Sequence, residues 1–293
     1  MHQRNILREI KDFLLHLRLN YNIWILSGPF LLWAVYTRIW NLSDFILNYV
    51  IIYILLFGWA NAYNSYFDRD EGPIGGLKNP PKMTQWMYYA SWFSQILWWI
   101  LSWKMGSTYI LLYMSSLLCF WAYSGPFFRL KWNPFMSIIA IWFATFFTIV
   151  LLGFLSAWGR EITLHVILGA ISTSFIYCSM YPFSQIYQRE VDKRRGDLTF
   201  AIKYGLRGIK MIFKIFFTLG ILWLAFSLNF IPYASPIILI WGISISVYLW
   251  KIVNQIRGEE AEYEIIMKIK YFGGVFFTVI ILSFIIAQMF LDK

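Results

Sequence analysis

The sequence is poor in charge. Asp, Glu, Lys and Arg make up 14% of its 293 residues, against about a quarter in an ordinary soluble domain. A soluble chain this apolar would expose large hydrophobic patches, which argues against a soluble globular enzyme. Cysteine is scarce as well. Cys119 and Cys178 both lie inside apolar stretches, so there is no disulfide framework and no thiolate metal spacing, and buried packing is their plain reading. His2, His16 and His165 each stand alone, which removes an imidazole cluster. Nine prolines and 18 glycines without a period exclude a collagen-like chain.

What is present is hydrophobic. Apolar residues reach 59% and aromatics 21%, the composition of a multi-pass integral membrane protein. The net charge is +10. In a soluble protein this would suggest nucleic acid. Here it fits loops facing anionic lipid, or an anionic substrate, and no nucleic-acid partner is expected.

A spanning helix needs about 20 mostly apolar residues. Nine stretches qualify: 21–39, 45–66, 86–104, 108–126, 134–156, 163–185, 211–231, 235–251 and 271–291. No gap between them holds a soluble domain, so residues 1–293 read as one all-α transmembrane domain. Residues 1–20 form an amphipathic N-terminal helix, with Ile6, Ile10, Phe13, Leu14 and Leu17 at helical spacing. It either lies in the membrane interface or packs on the bundle. Alternating the loops between two sides puts 20 Lys and Arg on the side of the N-terminus and 4 on the other. That split predicts a cytoplasmic N-terminus in a plasma membrane of bacterial type.

Two cytoplasmic loops carry the chemistry. After the second span, Asn61, Asn64, Asp68 and Glu71 share one face if the helix continues to Glu71. A row of amide and carboxylate oxygens at a membrane boundary is costly unless paired or bound to a cation. Such oxygens, without His or thiolate, suit Mg²⁺, which binds through carboxylates and substrate phosphates. Lys78 follows a Gly-rich turn and is a candidate phosphate contact. After the sixth span, Tyr181, Gln185, Gln188 and Asp192 again share a helical face, beside Lys193, and Arg195-Gly196-Asp197 ends the helix. After the fourth span, Ser124-Gly125-Pro126 breaks the helix and presents Arg129 and Lys131. Those two cations anchor the positive side or clamp an anion.

These three stretches resemble the UbiA superfamily of intramembrane prenyltransferases. That family has nine transmembrane helices, with Asp-rich motifs after the second and sixth on the cytoplasmic side. Its first motif, Asn-x-x-x-Asp-x-x-x-Asp, is similar to Asn64-Ser65-Tyr66-Phe67-Asp68, with Gly72 where the last Asp would fall. Its Tyr-Ser-x-Pro-x-x-Arg-x-Lys segment resembles Tyr123 to Lys131. Its second motif, Asp-x-x-Asp-x-x-x-Asp followed by Gly and Thr, is matched by Gln185, Gln188 and Asp192, then Gly196 and Thr199. Asp70, Glu71 and Glu190 are candidates for the missing charge.

The resemblance implies transfer of a prenyl group from a polyprenyl diphosphate to a lipophilic acceptor, with Mg²⁺ as cofactor. It implies Asn64, Asp68 and Asp192 on the metal, Glu71, Gln185 and Gln188 as supporting ligands, and Lys78, Arg129, Lys131 and Lys193 on the diphosphate. With three carboxylates fewer, one Mg²⁺ is expected, or a second held mainly by the diphosphate. The loops after helices 2, 4 and 6 would cap the bundle on the cytoplasmic side. Membrane lipids surround it, and no obligate protein partner is evident. The alternatives are a terpene cyclase of the same family, a non-catalytic relative and a transporter. Transporters place their ionisable groups near the midplane, whereas these lie at one interface.

Overall fold

The computed structural model describes residues 6–34, 39, 41–69, 71–158, 161–229 and 234–291. Asp70, and the orienting charges Arg4, Arg38, Arg160 and Lys293, lie outside the described residues. Among the described residues the chain is helical throughout, with no strand. Six helices are long and apolar enough to cross a membrane. They are α3 (Leu42–Asp68), α6 (Pro134–Ala157), α7 (Leu164–Cys178, extended to Gln185), α9 (Phe200–Ser227), α10 (Ala234–Gln255) and α11 (Tyr263–Leu291). The other three predicted spans coincide with α2 (Leu19–Leu31), α4 (Gln85–Leu101) and α5 (Ser107–Ser124), of 13, 17 and 18 residues. Two short helices, α1 (Ile6–His16) and α8 (Arg189–Arg195), complete the set.

Local sequence sets the helix ends. Asn41 caps α3, its side chain accepting from Ser43 N and Asp44 N, and Asn133 does the same for α6 with Pro134 in the first position. Gly125-Pro126 stops α5 at Ser124, as expected. Gly196, at φ 77°, ends α8 in the left-handed conformation that favours glycine. Gly205, at φ 60°, sets off the first turn of α9, so that helix begins well before the apolar run at 211. α11 likewise begins eight residues before the run at 271, because its first turns are polar.

The bundle is held by close backbone approach rather than by apolar transfer, since lipid is as apolar as leucine. A Cβ on Gly153 would lie 2.1 Å from the Phe30 carbonyl oxygen, and one on Gly274 would lie 2.6 Å from Ile25 Cα. These two glycines seat α6 and α11 against α2. Aromatic pairs fill the rest. Trp98 of α4 stacks on Tyr113 of α5 at 4.0 Å, a contact worth about 0.5–1.5 kcal/mol beyond its area. The α3 backbone widens into a π turn at Ile51–Leu56. Gln95 Nε2 donates to the Leu55 carbonyl there at 2.7 Å, and Tyr113 donates to Gln95 Oε1 at 3.2 Å. A polar backbone group inside the bundle is thereby satisfied.

The segment expected to be an amphipathic N-terminal helix holds α1, Ile6–His16. Ile6, Leu7, Ile10 and Leu14 are exposed apolar residues, while Leu17 is buried against Gly58. His16 is buried too. Its Nε2 lies 2.8 Å from the Pro81 carbonyl, and burial pushes its pKa down to about 4. It is therefore neutral at physiological pH. Cys178 is fully buried and Cys119 half-buried, both as free thiols.

Candidate active site

A cavity of about 390 Å³ runs through the bundle. One end is polar, lined by Asn64, Asp68, Lys131, Gln185, Gln188 and Asp192. The remainder is apolar and aromatic, with Phe57, Phe120, Phe146, Tyr177, Trp241 and Phe277 among its walls.

Asn64 and Asp68 sit one turn apart at the end of α3. Asn64 Nδ2 donates to Asp68 Oδ2 at 2.7 Å and to Ser124 Oγ at 3.0 Å. Its amide oxygen has no hydrogen-bond partner among the described residues. α3 stops at Asp68 because Arg69 adopts φ 48°, so Glu71 is not on the helix. Glu71 is exposed and does not line the cavity.

The segment after α5 folds back on this carboxylate. Arg129 takes the left-handed conformation at φ 38°, and the turn aims Lys131 at Asp68, where the two form an ion pair. Lys131 is also 3.5 Å from Asp197 Oδ2, and Arg129 Nε is 3.2 Å from Asp197 Oδ1. Arg129 does not line the cavity; it braces Asp197 from behind. Asp68, Lys131 and Asp197 are buried and Arg129 is partly buried, so each charge depends on its partner.

The second carboxylate arrives differently. The expected single helical face over Tyr181, Gln185, Gln188 and Asp192 is replaced by two pieces. Residues Tyr181–Gln185 form a 3₁₀ turn with Pro182 at its start, and Asp192 sits on the separate helix α8. The convergence survives, since all four residues line the cavity. Gln185 Oε1 accepts from Ala201 N at 3.1 Å, so it already serves a structural bond. Burial pushes the Asp192 carboxyl up to about 7, with Lys131 opposing and Asp197 and Asp68 adding to the rise. The Tyr123 and Tyr181 hydroxyls meet at 2.7 Å beside it.

Two predicted phosphate contacts lie elsewhere. Lys78 pairs with Glu264 at 2.7 Å and Lys193 with Glu190 at 2.8 Å, and all four side chains are exposed. Lys193 holds the Glu190 carboxyl below its ordinary value. Asp197 was readable in the sequence only as part of a helix end. Its N–H bonds the Asp192 carbonyl at 2.9 Å across Gly196, and this tight turn was the available signal that the two acids belong together.

Among the described residues no group of three or more His, Cys, Asp or Glu is placed to hold a metal unaided. The donor set is two carboxylates with amide oxygens. It suits a hard cation that completes its shell with water and ligand phosphate.

The family profile of the UbiA prenyltransferases matches residues 22–272. The chain belongs to the UbiA prenyltransferase family. As a UbiA-family protein with six apolar crossing helices it is an integral membrane protein. Solved structures agree on the fold. A UbiA homologue from Archaeoglobus fulgidus bound to DMAPP and Mg²⁺ superposes with a TM-score of 0.69 at 17% identity, covering 94% of this chain and 99% of that one. The same homologue bound to GPP and Mg²⁺ gives 0.68 at 16%, with the same coverage. A digeranylgeranylglyceryl phosphate synthase gives 0.64 at 16%, covering 95% and 98%. No curated protein sequence matches the chain significantly.

Proposed function

We propose that this chain moves a prenyl group from a polyprenyl diphosphate to a lipophilic acceptor inside the membrane. The observation that carries the reading is one cavity in which two carboxylates and a lysine meet a long apolar body. A prenyl diphosphate has the same two parts. The fold neighbours solved with DMAPP or GPP and Mg²⁺ support the same substrate class.

In this reading Asp68, Asp192, Asn64 and Gln188 hold Mg²⁺, with Gln185 in support. Bound there, the ion would neutralise the charge that grows on the departing diphosphate. Lys131 serves that charge from the protein side, held in place by Asp68 and Asp197. Arg129 positions Lys131 through Asp197 rather than touching phosphate. Glu71, Lys78 and Lys193 stand outside the set, being exposed and away from the cavity lining. The prenyl tail runs between Phe57, Phe120 and Phe146, whose π faces also favour an allylic cation. These walls keep water from that carbon until the acceptor bonds to it.

We further propose nine spans in one domain, a cytoplasmic N-terminus and a cytoplasmic cap over the polar end, in a plasma membrane of bacterial type. The charge split and the meeting of Asp68, Ser124 and Gln185 at one cavity end support this. The test is thermal shift of the detergent-purified chain with a non-cleavable farnesyl or geranylgeranyl diphosphate analogue. Stabilisation that needs Mg²⁺ and disappears in Asp68→Asn and Asp192→Asn is expected. No stabilisation at any chain length, in folded protein, would remove the reading.

A further inference from the structure

Arg18, Lys131, Arg195 and Lys270 line the cavity and belong to the site described above. A second group of cations lies on the outside of the bundle. Arg207, Lys210 and Lys214 follow one another on α9 at spacings of three and four residues, which puts them along one helix face. They cover about 10 Å of helix. None lines the cavity, and none forms an ion pair among the described residues. Residues 200–255, which hold both α9 and α10, contain no Asp or Glu. Two acids that follow are engaged elsewhere. The Glu262 carboxylate accepts from the backbone N–H groups of Arg257, Gly258 and Glu259, and Glu264 pairs with Lys78.

The fold holds two of these cations in place. Lys210 Nζ donates to the carbonyls of Asn254 at 3.2 Å and Ile256 at 2.9 Å, at the end of α10. An ammonium has three N–H donors, so one is left over. Lys214 Nζ stands 3.8 Å from the centre of the Trp250 ring on α10, and Phe213 lies parallel to that ring at 6.3 Å. Arg207, one turn before Lys210, and Lys251, next to Trp250, are exposed.

Depth makes Lys214 informative. It lies within the apolar run of a membrane-crossing helix, between exposed Met211 and Ile215, with Leu219 and Leu222 exposed beyond them. A charge on a lipid-facing surface is costly unless it reaches the headgroups or meets an anion. Helical side chains lean towards the helix N-terminus. The N-terminus of α9 is at the polar end of the cavity, where Thr199 is part of the lining, so Lys214 snorkels towards that membrane surface. A general excess of cations in loops explains Arg207. It does not explain a lysine inside the span, seated on an indole and level with a second lysine pinned to carbonyls. The anion a bilayer supplies at this depth is a lipid phosphate.

We propose that Arg207, Lys210 and Lys214 of α9, with Trp250 and Lys251 of α10, form a binding site for an anionic phospholipid of the surrounding bilayer. The phosphate meets the three α9 cations, and the acyl chains run along Ile215, Leu219 and Leu222. A zwitterionic headgroup fits less well, because α9 and α10 offer no carboxylate to its cationic half. The site is separate from the cavity, so it stands or falls apart from the prenyl-transfer reading.

The test is native mass spectrometry of the detergent-purified full chain, titrated with dioleoyl phosphatidylglycerol or dioleoyl phosphatidylcholine. The wild type is expected to retain one phosphatidylglycerol at a concentration about 10-fold below that needed for phosphatidylcholine. Arg207→Gln with Lys214→Met should bring the two lipids within about twofold of each other, and Lys214→Arg should keep the preference. Arg207→Gln alone removes an exposed group and should lose part of the preference, which covers the case in which the double variant does not fold. Lys78→Gln with Lys193→Gln removes the same charge from exposed pairs and should leave the preference intact. Inorganic phosphate in excess should not displace the lipid.

Equal retention of the two lipids by the wild type overturns the proposal, as does a preference that survives both Arg207→Gln and the double variant. An equal loss in the Lys78 and Lys193 control would show that overall charge, not this site, sets the preference. Displacement by inorganic phosphate would make it a site for soluble anions, against the lipid proposed here.

Discussion

Asp68 and Asp192 face the same cavity from opposite circumstances. Asp68 ends a long spanning helix and is locked to Lys131, with Arg129 at 4.0 Å and Asn64 on its other oxygen. Asp192 sits on a seven-residue helix after a break, with no ion pair among the described residues and a carboxyl pushed up to about 7. The first is a carboxylate compensated within the protein. The second carries a desolvation cost that Lys131 and Arg195 only partly offset. The difference teaches that one site can combine a paired carboxylate with one that burial leaves poorly compensated.

The sharpest way to break this comparison is to neutralise each acid in turn and follow catalysis. Both Asp68→Asn and Asp192→Asn should lower prenyl transfer by about 10²-fold or more, since each removes charge that steadies the departing diphosphate. A single-turnover assay with labelled prenyl diphosphate measures it. Retained turnover in either variant would show that its carboxylate is not needed.

The second effect separates the two acids. Without Mg²⁺, Asp68→Asn leaves Lys131 short of its nearest partner. Breaking a buried pair costs about 3–5 kcal/mol, and Asp197 at 3.5 Å should recover part of it. Asp192→Asn removes a poorly compensated charge and should leave the melting temperature unchanged or raise it. Melting curves of both variants at pH 7.5 test this. Equal losses would mean that the two acids are held alike.

A pH series sharpens the same point. The Asp192 carboxyl titrates near 3.8 when unfolded and about 7 when folded. Between those values the folded state binds more protons, so its stability falls as pH rises, by about 1.4 kcal/mol per pH unit at most. Mg²⁺ with a diphosphate analogue should flatten that slope, because a bound cation favours the ionised form. Asp192→Asn should remove the slope's Asp192 component even without Mg²⁺. A slope identical in the variant would assign the dependence to other groups.

Much of this was legible in the residues. Apolar run length gave the crossing helices, and the breaks at Ser124-Gly125-Pro126 and Gly196 fell where expected. Asn64 and Asp68 could be chosen because helical spacing carries a polar group at a span's end into the bundle, whereas Asp192 reaches the cavity across a break that the spacing did not predict. Asp197 could not, because its partners Arg129 and Lys131 lie more than sixty residues away and only the folded turn joins them. Lys270 was hidden for a different reason. Hydropathy starts the last span at 271, so the residue counted as a loop charge, whereas the helix begins at Tyr263 and carries it into the cavity.

Lys78 and Lys193 present the opposite case, and they give the smallest prediction. Sequence proximity to the acidic stretches made both look like phosphate contacts. The fold turns them outward into exposed pairs with Glu264 and Glu190. Exposed pairs of this kind are worth about 0–1 kcal/mol and are screened by salt. Lys78→Gln and Lys193→Gln should therefore leave the melting temperature unchanged, and donor affinity changed by less than about twofold, while Lys131→Gln changes both strongly. Calorimetric titration of the diphosphate analogue into the three variants makes the comparison directly. A large loss at Lys193 would mean that α8 rotates when the donor binds, bringing an outward lysine into a site that Asp192 already shares.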